Sequence, residues 1–363
     1  MLLTTALLGL AALAPADTIP KRFSLFPLPV VYYTPETRFA YGAAATATVR
    51  FRRDAGFAAA RPSQITLGAA YTQNKQFAVY LPFQVFYNHN NYYANGELGY
   101  YRYNYYFYGL GKNEVPRELF GVTFPRVRLN LFRRIAPQLK QGTLYAGLRY
   151  QYEDYDVTSV VADGLLASGT VPGGQRSRLT GGGVGLFFDS RDNLFYPTKG
   201  AVADVRTMIR NKAVGAGLAG QTTYSDRYVA DVSSYHALHE KLILAVNYYA
   251  SFTVGTAPFN AISLLGGTRR MRGYYEGRYR DQNTGLVQTE LRVGEYKRLG
   301  AVVFGAVGVL GDGETLLRLD APKIAYGAGL RFVINRRDHL NLRLDYGLAR
   351  QSSGFYLTIG EAF

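Results

Sequence analysis

The chain has no cysteine and no tryptophan, and only three methionines in 363 residues. Without cysteine there is no disulfide and no lipid-anchored N-terminal cysteine. That absence suits an oxidising compartment without requiring one. Beyond the first residues there is also no run of about 20 consecutive apolar residues, the length a membrane-spanning helix needs. With a mean hydropathy of −0.09, a bundle of membrane helices is excluded. Signatures of catalysis are missing as well. No Gly-x-Ser-x-Gly elbow occurs, and Gly181-Gly182-Gly183 opens a strand rather than a helix, so it is no phosphate loop. His236 and His239 stand three apart in what reads as a short turn, whereas zinc helices carry histidines at i and i+4. His89 and His339 fall near turns with no partner suggested. No catalytic residue, metal site or cofactor is assigned, and an enzyme is not expected.

Other features are abundant. The chain holds 31 Tyr, 21 Phe and 40 Gly, and a formal net charge of +15. Aromatic residues in such number suit the girdles of a membrane barrel at its two lipid–water interfaces. The basic residues are scattered through alternating segments and one glycine-rich stretch, with no recognition motif, so nucleic acid is not the expected partner. An arginine-lined lumen, or loops meeting an anionic cell surface, accounts for the charge. Residues 1–16, MLLTTALLGLAALAPA, are apolar and end in the small-x-small pattern Ala14-Pro15-Ala16. They read as a cleavable signal peptide, leaving residues 17–363 as the exported chain.

Alternation of polarity is the dominant pattern. Leu340, Leu342, Leu344, Tyr346 and Leu348 alternate with Asn341, Arg343, Asp345 and Gly347. Successive side chains of a strand point to opposite faces, so one face is lipid-like and the other aqueous. Leu144, Ala146, Leu148 and Tyr150 oppose Tyr145, Gly147, Arg149 and Gln151 in the same way, as Val287, Thr289, Leu291 and Val293 oppose Gln288, Glu290 and Arg292. Such segments run from 27–33 and 38–52 to 240–254, then resume over 284–295, 300–310, 324–334, 338–348 and 354–363. The fold class is therefore all-β: a single transmembrane antiparallel β-barrel of about 16 strands, with fourteen as the alternative count. Short turns fall on one side, and the long segments near 155–178 and 254–284 on the extracellular side. A soluble β-sandwich or lipocalin-like fold is the alternative, but so many long strands exceed an ordinary sandwich.

Residues 266–280 carry five arginines (Arg269, Arg270, Arg272, Arg278 and Arg280) among Gly266, Gly267, Gly273 and Gly277. Glycine permits left-handed or closely approaching backbone, and arginine seeks carboxylates in bidentate pairs. A long extracellular loop of this content is expected to fold back into the lumen and lock there; a solvated surface loop is the alternative. Pro27, Pro29 and Pro35 flank Val30 to Tyr33 in the first strand. Proline cannot donate to a ladder. The first strand therefore has few bonds to offer the last, where Gly360 adds flexibility, and Pro29, Val31, Gly360 and Phe363 mark a candidate seam. A blunted first segment is the equal alternative.

At this point the chain resembles a family. Met271-Arg272-Gly273-Tyr274 is similar to the hydrophobic-Arg-Gly-aromatic signature in the sixth extracellular loop of the BamA/TamA outer-membrane assembly superfamily, the bacterial surface antigen type. Asp189, Arg191 and Asp192, followed by Tyr196-Pro197-Thr198-Lys199-Gly200, resemble its periplasmic turn motif. Arg343-x-Asp345-Tyr346-Gly347 through Phe363 resembles its last two strands and terminal aromatic. The resemblance implies that Arg272 anchors the loop to a carboxylate. Ala306 stands where the family carries that carboxylate, so Glu290 and Asp345, both inward by alternation, are the candidate partners. No segment before Lys21 is long enough for a POTRA domain, which points to the POTRA-less branch and to separate periplasmic or lipoprotein subunits. The function implied is insertion or translocation of client polypeptides at the bacterial outer membrane, in contact with its lipid and lipopolysaccharide. A passive diffusion channel is the runner-up, and a membrane-embedded lipid hydrolase the third reading.

Overall fold

The computed structural model describes residues 22–363, leaving out 53–60, 112–114, 138, 140, 217–219, 312 and 337–338. The signal peptide expected over residues 1–16 lies outside the described residues. Sixteen antiparallel strands close into one barrel. Eleven precede the arginine-rich loop: β1 (Phe23–Thr34), β2 (Arg38–Val49), β3 (Ser63–Thr72), β4 (Phe77–Tyr87), β5 (Tyr92–Phe107), β6 (Glu118–Arg134), β7 (Thr143–Ser159), β8 (Arg176–Asp189), β9 (Gly200–Val214), β10 (Thr223–His239) and β11 (Leu242–Gly255). Within that loop β12 (Ser263–Leu265) and β13 (Tyr279–Asp281) form a separate small hairpin. Five barrel strands follow: β14 (Asn283–Tyr296), β15 (Leu299–Gly311), β16 (Lys323–Asn335), β17 (Leu340–Ala349) and β18 (Ser352–Ile359). His236 and His239 therefore end β10 rather than occupying the expected turn, because β10 pairs on to Leu242 across a register shift at Ala237 and His239.

The outward half of the alternation is exposed, as a lipid-facing wall requires. Tyr41, Leu67, Leu148, Val184, Leu330 and Tyr346 are among its large apolar side chains. Connections at one end of the barrel include the long ones, residues 160–175 and 256–282. That asymmetry marks it as the extracellular end.

The inward half departs from the aqueous face expected of it. Tyr80, Tyr101, Phe107, Phe120, Phe124 and Tyr155 form a buried cluster on the inner wall of β4 to β7, and Phe259 of the long loop joins it. Along β5, Tyr101 stacks on Tyr103 with ring centroids 5.8 Å apart, and Tyr103 meets Tyr105 at a tilt, 5.4 Å apart. Leu340, outward by alternation, is instead 1% exposed and belongs to this cluster. A bulge between Val333 and Asn335 at the start of the β16–β17 ladder accompanies the change. The interior is thus packed as a core, polar on one side and aromatic on the other. A cavity of about 50 Å³ remains beside Arg128, Glu153, Asn211, Arg227 and Asn260, room for a few water molecules.

Closure is uneven. β1 pairs with β2 from Phe23 opposite Val49 to Thr34 opposite Arg38, and β17 pairs with β18 along the whole of the latter. Between β1 and β18 the register among the described residues is a single pair, Tyr33 opposite Leu357. Two local causes converge. The β1–β2 ladder runs unbroken across Pro27 and Pro29, so the donors these residues lack are the ones turned toward β18. On the other side β18 ends at Ile359, short of the 354–363 expected. Gly360 then takes a φ of 83°, and residues 361–363 leave the wall for the interior.

Candidate functional site

Residues 256–282 enter the lumen and are held from several directions. Gly266, Gly267, Gly273 and Gly277 all have positive φ, as does Met271 at 69°. The amide of Gly266 donates to the carbonyl of Arg270 (2.8 Å) and that of Gly267 to Tyr274 (2.9 Å), which curls the tip back on its own hairpin. Apolar side chains of the curl fill the lumen. Leu265, Met271, Tyr274 and Tyr279 pack against Tyr249, Leu286, Ala306 and Leu310 of the wall.

The curl presents Arg272, 3% exposed, to two carboxylates at once: it pairs with Glu290 of β14 and with Asp345 of β17. Its guanidinium carbon lies 3.6 Å from the ring centroid of Phe304 on β15, one of the two strands between them. Both carboxylates are also bound to the wall. Glu290 accepts from Arg292 Nε at 2.8 Å, and Asp345 accepts from Arg331 Nη1 at 2.6 Å. Arg331 reaches on to Glu361 at 2.7 Å, and Arg343 lies 3.4 Å from Asp345. Ala306, at the family's carboxylate position, is packed among apolar neighbours of the loop. Each carboxylate is shared by a loop arginine and wall arginines, whose charges offset the cost of burial, although Arg292 Nη1, Arg331 Nη2 and Arg343 Nη1 are buried without a hydrogen-bond partner among the described residues.

The motif residues around Arg272 are placed by contacts of their own. The Met271 amide donates to Gln288 Oε1 (3.3 Å), while Gln288 Nε2 donates to the Arg269 carbonyl (2.7 Å). Gly273 has a φ of 112°, and its backbone lies flat on β17. A Cβ there would stand 2.9 Å from the carbonyl carbon of Leu348, and one on Gly347 would stand 2.6 Å from the Gly273 nitrogen. Only glycine at both positions permits this approach. The Gly273 amide donates to the Tyr356 hydroxyl (3.0 Å), and its carbonyl accepts from Ser352 Oγ (2.7 Å). Tyr274 meets the Tyr279 ring edge-on at 5.1 Å.

The turn motif at 189–200 lies at the opposite mouth. Asp189 is buried and accepts from Arg191 Nε (3.0 Å) and Arg61 Nη1 (3.3 Å). Asp192 organises the turn itself, accepting from the amides of Asn193 and Thr198 at 2.9 Å and of Lys199 at 3.1 Å, and from the Thr198 hydroxyl. Burial pushes the Asp192 carboxyl up, but the hydroxyl and amide donors outweigh it and hold the group below its ordinary range. Pro197 is buried, and Gly200 has a φ of 95° where β9 begins. Tyr196 reaches inward: its ring stacks on His339 at 6.4 Å, and Arg292 lies 5.9 Å from its centroid. Those partners belong to the β16–β17 turn and to β14, strands well around the ring from β8 and β9.

The four seam residues do not all sit on the seam. Val31 is exposed on the outer face and Pro29 contributes a missing donor, but Gly360 turns the chain and Phe363 lies inside. The Phe363 ring is 5.7 Å from Arg292, and its carbonyl oxygen accepts from Arg292 Nη2 at 2.9 Å. Sequence reading named Tyr196 and Arg343 only as parts of motifs and gave no role to Arg331, Glu361, Gln288, Ser352 or Tyr356. Arg343 and Gln288 were inward by alternation, and Arg331 shares that phase on β16, so this much was available. The contacts of Ser352 and Tyr356 with a loop backbone some 80 positions away had no local signal.

No curated protein matches the chain. Solved structures do. BamA from Haemophilus ducreyi lacking POTRA domains 1–3 superposes with a TM-score of 0.57 at 13% identity, covering 93% of this chain and 70% of that one. CdiB from Acinetobacter baumannii gives 0.59 at 14% identity, over 93% of this chain and 60% of that one. CdiB from Escherichia coli gives 0.59 at 11%, over 94% and 64%. The chain thus spans less than two thirds of either CdiB. At such identities the likeness speaks to the fold. The Omp85 superfamily domain matches residues 40–363, nearly the whole barrel. This outer-membrane β-barrel belongs to the Omp85 superfamily.

Proposed function

We propose that this barrel inserts or translocates client polypeptides at the outer membrane, with separate periplasmic or lipoprotein subunits delivering the client. The observation that carries the reading is the combination of a filled lumen with a seam held at one register pair, Tyr33 opposite Leu357. A packed interior leaves little room for passage through the bore, whereas β1 meets a short β18 at one register pair among the described residues. An exposed strand edge templates an incoming strand through main-chain hydrogen bonds, without fuel. Outer-membrane lipid and lipopolysaccharide are the surroundings into which such a strand would move. The passive-channel reading needs an open bore, and a steady single-channel conductance from the unaltered protein would favour it.

The test uses the absence of native cysteine. Tyr33→Cys with Leu357→Cys places two thiols on directly opposed residues, within disulfide reach of an antiparallel pair. In proteoliposomes supplied with periplasmic extract and an unfolded barrel client, the oxidised protein should stop inserting client and recover on reduction. Undiminished insertion by the cross-linked barrel would overturn the reading.

A further inference from the structure

The loop is fastened on both sides of the seam. On the β17–β18 side, Gly273 is held by Tyr356 and Ser352 at 3.0 and 2.7 Å. Three residues later, the amide of Glu276 donates to Oε1 of Glu36 at 2.7 Å. Glu36 belongs to the β1–β2 turn, which stands on the other side of the seam at its extracellular end. It is 4% exposed, and its carbonyl accepts from Asn74 Nδ2 (2.9 Å) and Gln76 Nε2 (3.2 Å), so the turn is rigidly seated. Residues 273–276 therefore span the inside of the weakest junction in the barrel.

We propose that Glu36 is a positioning residue that latches the seam, holding residues 273–276 as a strap from β18 to the β1–β2 turn. The inference rests on the reading of the seam as the route for client. Separation of β1 from β18 at the extracellular end requires the strap to let go of one side. The Arg272 side is multiply bonded and buried, while the Glu36 side depends on one carboxylate oxygen. Release therefore occurs at Glu36.

The latch is sensitive to protonation. Burial, and next the Glu276 carboxylate, push Glu36 from the ordinary glutamate value up to about 7, outweighing the Glu276 amide, whose hydrogen bond favours the ionised carboxylate. Glu276 and Tyr275 face it from the loop, Tyr356 from β18 and the Thr34 hydroxyl from its own hairpin; Arg38 at the start of β2 and Lys75 in the β3–β4 turn are exposed. A carboxyl whose value is raised in the latched state favours that state when protonated. Latching is thus strongest below the ordinary glutamate value and is lost as pH rises through about 7.

Spin labels on Tyr41→Cys of β2 and Ser353→Cys of β18, both exposed on the lipid side, report the seam in nanodiscs holding the full chain. Between pH 4.5 and 8 the open fraction should rise by about tenfold or more, since each pKa unit of difference is a factor of ten. Glu36→Gln, a neutral acceptor, should stay closed without pH dependence, and Glu36→Ala should be open throughout. If both variants follow the parent at every pH, the latch is wrong, while the seam reading stands as long as the Tyr33–Leu357 cross-link still blocks insertion. If the labels never separate although client inserts normally, the seam reading itself falls. Should Glu36→Ala fail to fold, the parent profile against Glu36→Gln decides.

Discussion

A guanidinium carries its five donors in one plane, and Arg272 directs them to two carboxylates on different strands. Loss of one partner of a buried pair commonly costs about 3–5 kcal/mol, because the other charge is left without compensation. Arg272→Ala should therefore undock the loop without unfolding the wall. Trypsin is a direct reporter, since Arg269, Arg270, Arg278 and Arg280 are all buried or half-buried. Cleavage within 269–280 should be fast in the variant and slow in the parent. Arg272→Lys should fall between, because an ammonium cannot span both carboxylates with the planar fork. Exchanging charges as Arg272→Glu with Glu290→Arg should not restore protection, since the new glutamate would face Asp345. Equal trypsin resistance in all three would show that the pairs do not hold the loop. Gly273→Ala tests the backbone contact instead: a Cβ against Leu348 and a φ of 112° together should cost on the order of 1–3 kcal/mol and lift the same segment.

Strands β1 and β18 illustrate how two weaknesses reinforce each other. Restoring a donor by Pro29→Val should change thermal stability by no more than about 0.5 kcal/mol, since continuing the register places Glu361 opposite, and Glu361 has left the wall. Gly360→Val disfavours the positive φ that turns the chain inward. The double variant should be stabilised beyond the sum of the singles, with slower amide exchange in β1; strict additivity would mean that the two features are independent. The 189–200 turn makes a separate case. Asp192 fixes its shape locally, whereas Tyr196 ties it to His339 and Arg292 across the mouth.

For the barrel entire, the consequence is a bore obstructed from both ends. The extracellular half is occupied by the loop and the other mouth by the turn. The parent protein should show almost no steady conductance in planar bilayers. Arg272→Ala should conduct in bursts as the loop leaves, and combining it with Tyr196→Ala should lengthen them. A large steady current from the parent would contradict the packing described. The loop's place after the eleventh strand, the strand number and the outer face were all readable from the chain, because each rests on local alternation or a local motif. The inner face was misread as aqueous, since alternation reports only that two faces differ. Tyr101, Tyr103 and Tyr105 satisfy the pattern equally well facing water or one another.

Polarity of successive side chains, the missing donors of Pro27 and Pro29 and the carboxylates at 290 and 345 were determined by sequence alone, because each is a property of a residue and its neighbours in the chain. Which groups meet was decided by barrel closure. It brought Arg272 to both carboxylates rather than one, set Glu36 against an amide 240 positions away and carried Phe363 off the wall. Such contacts depend on curvature and register summed around sixteen strands, and no local stretch of sequence encodes that sum.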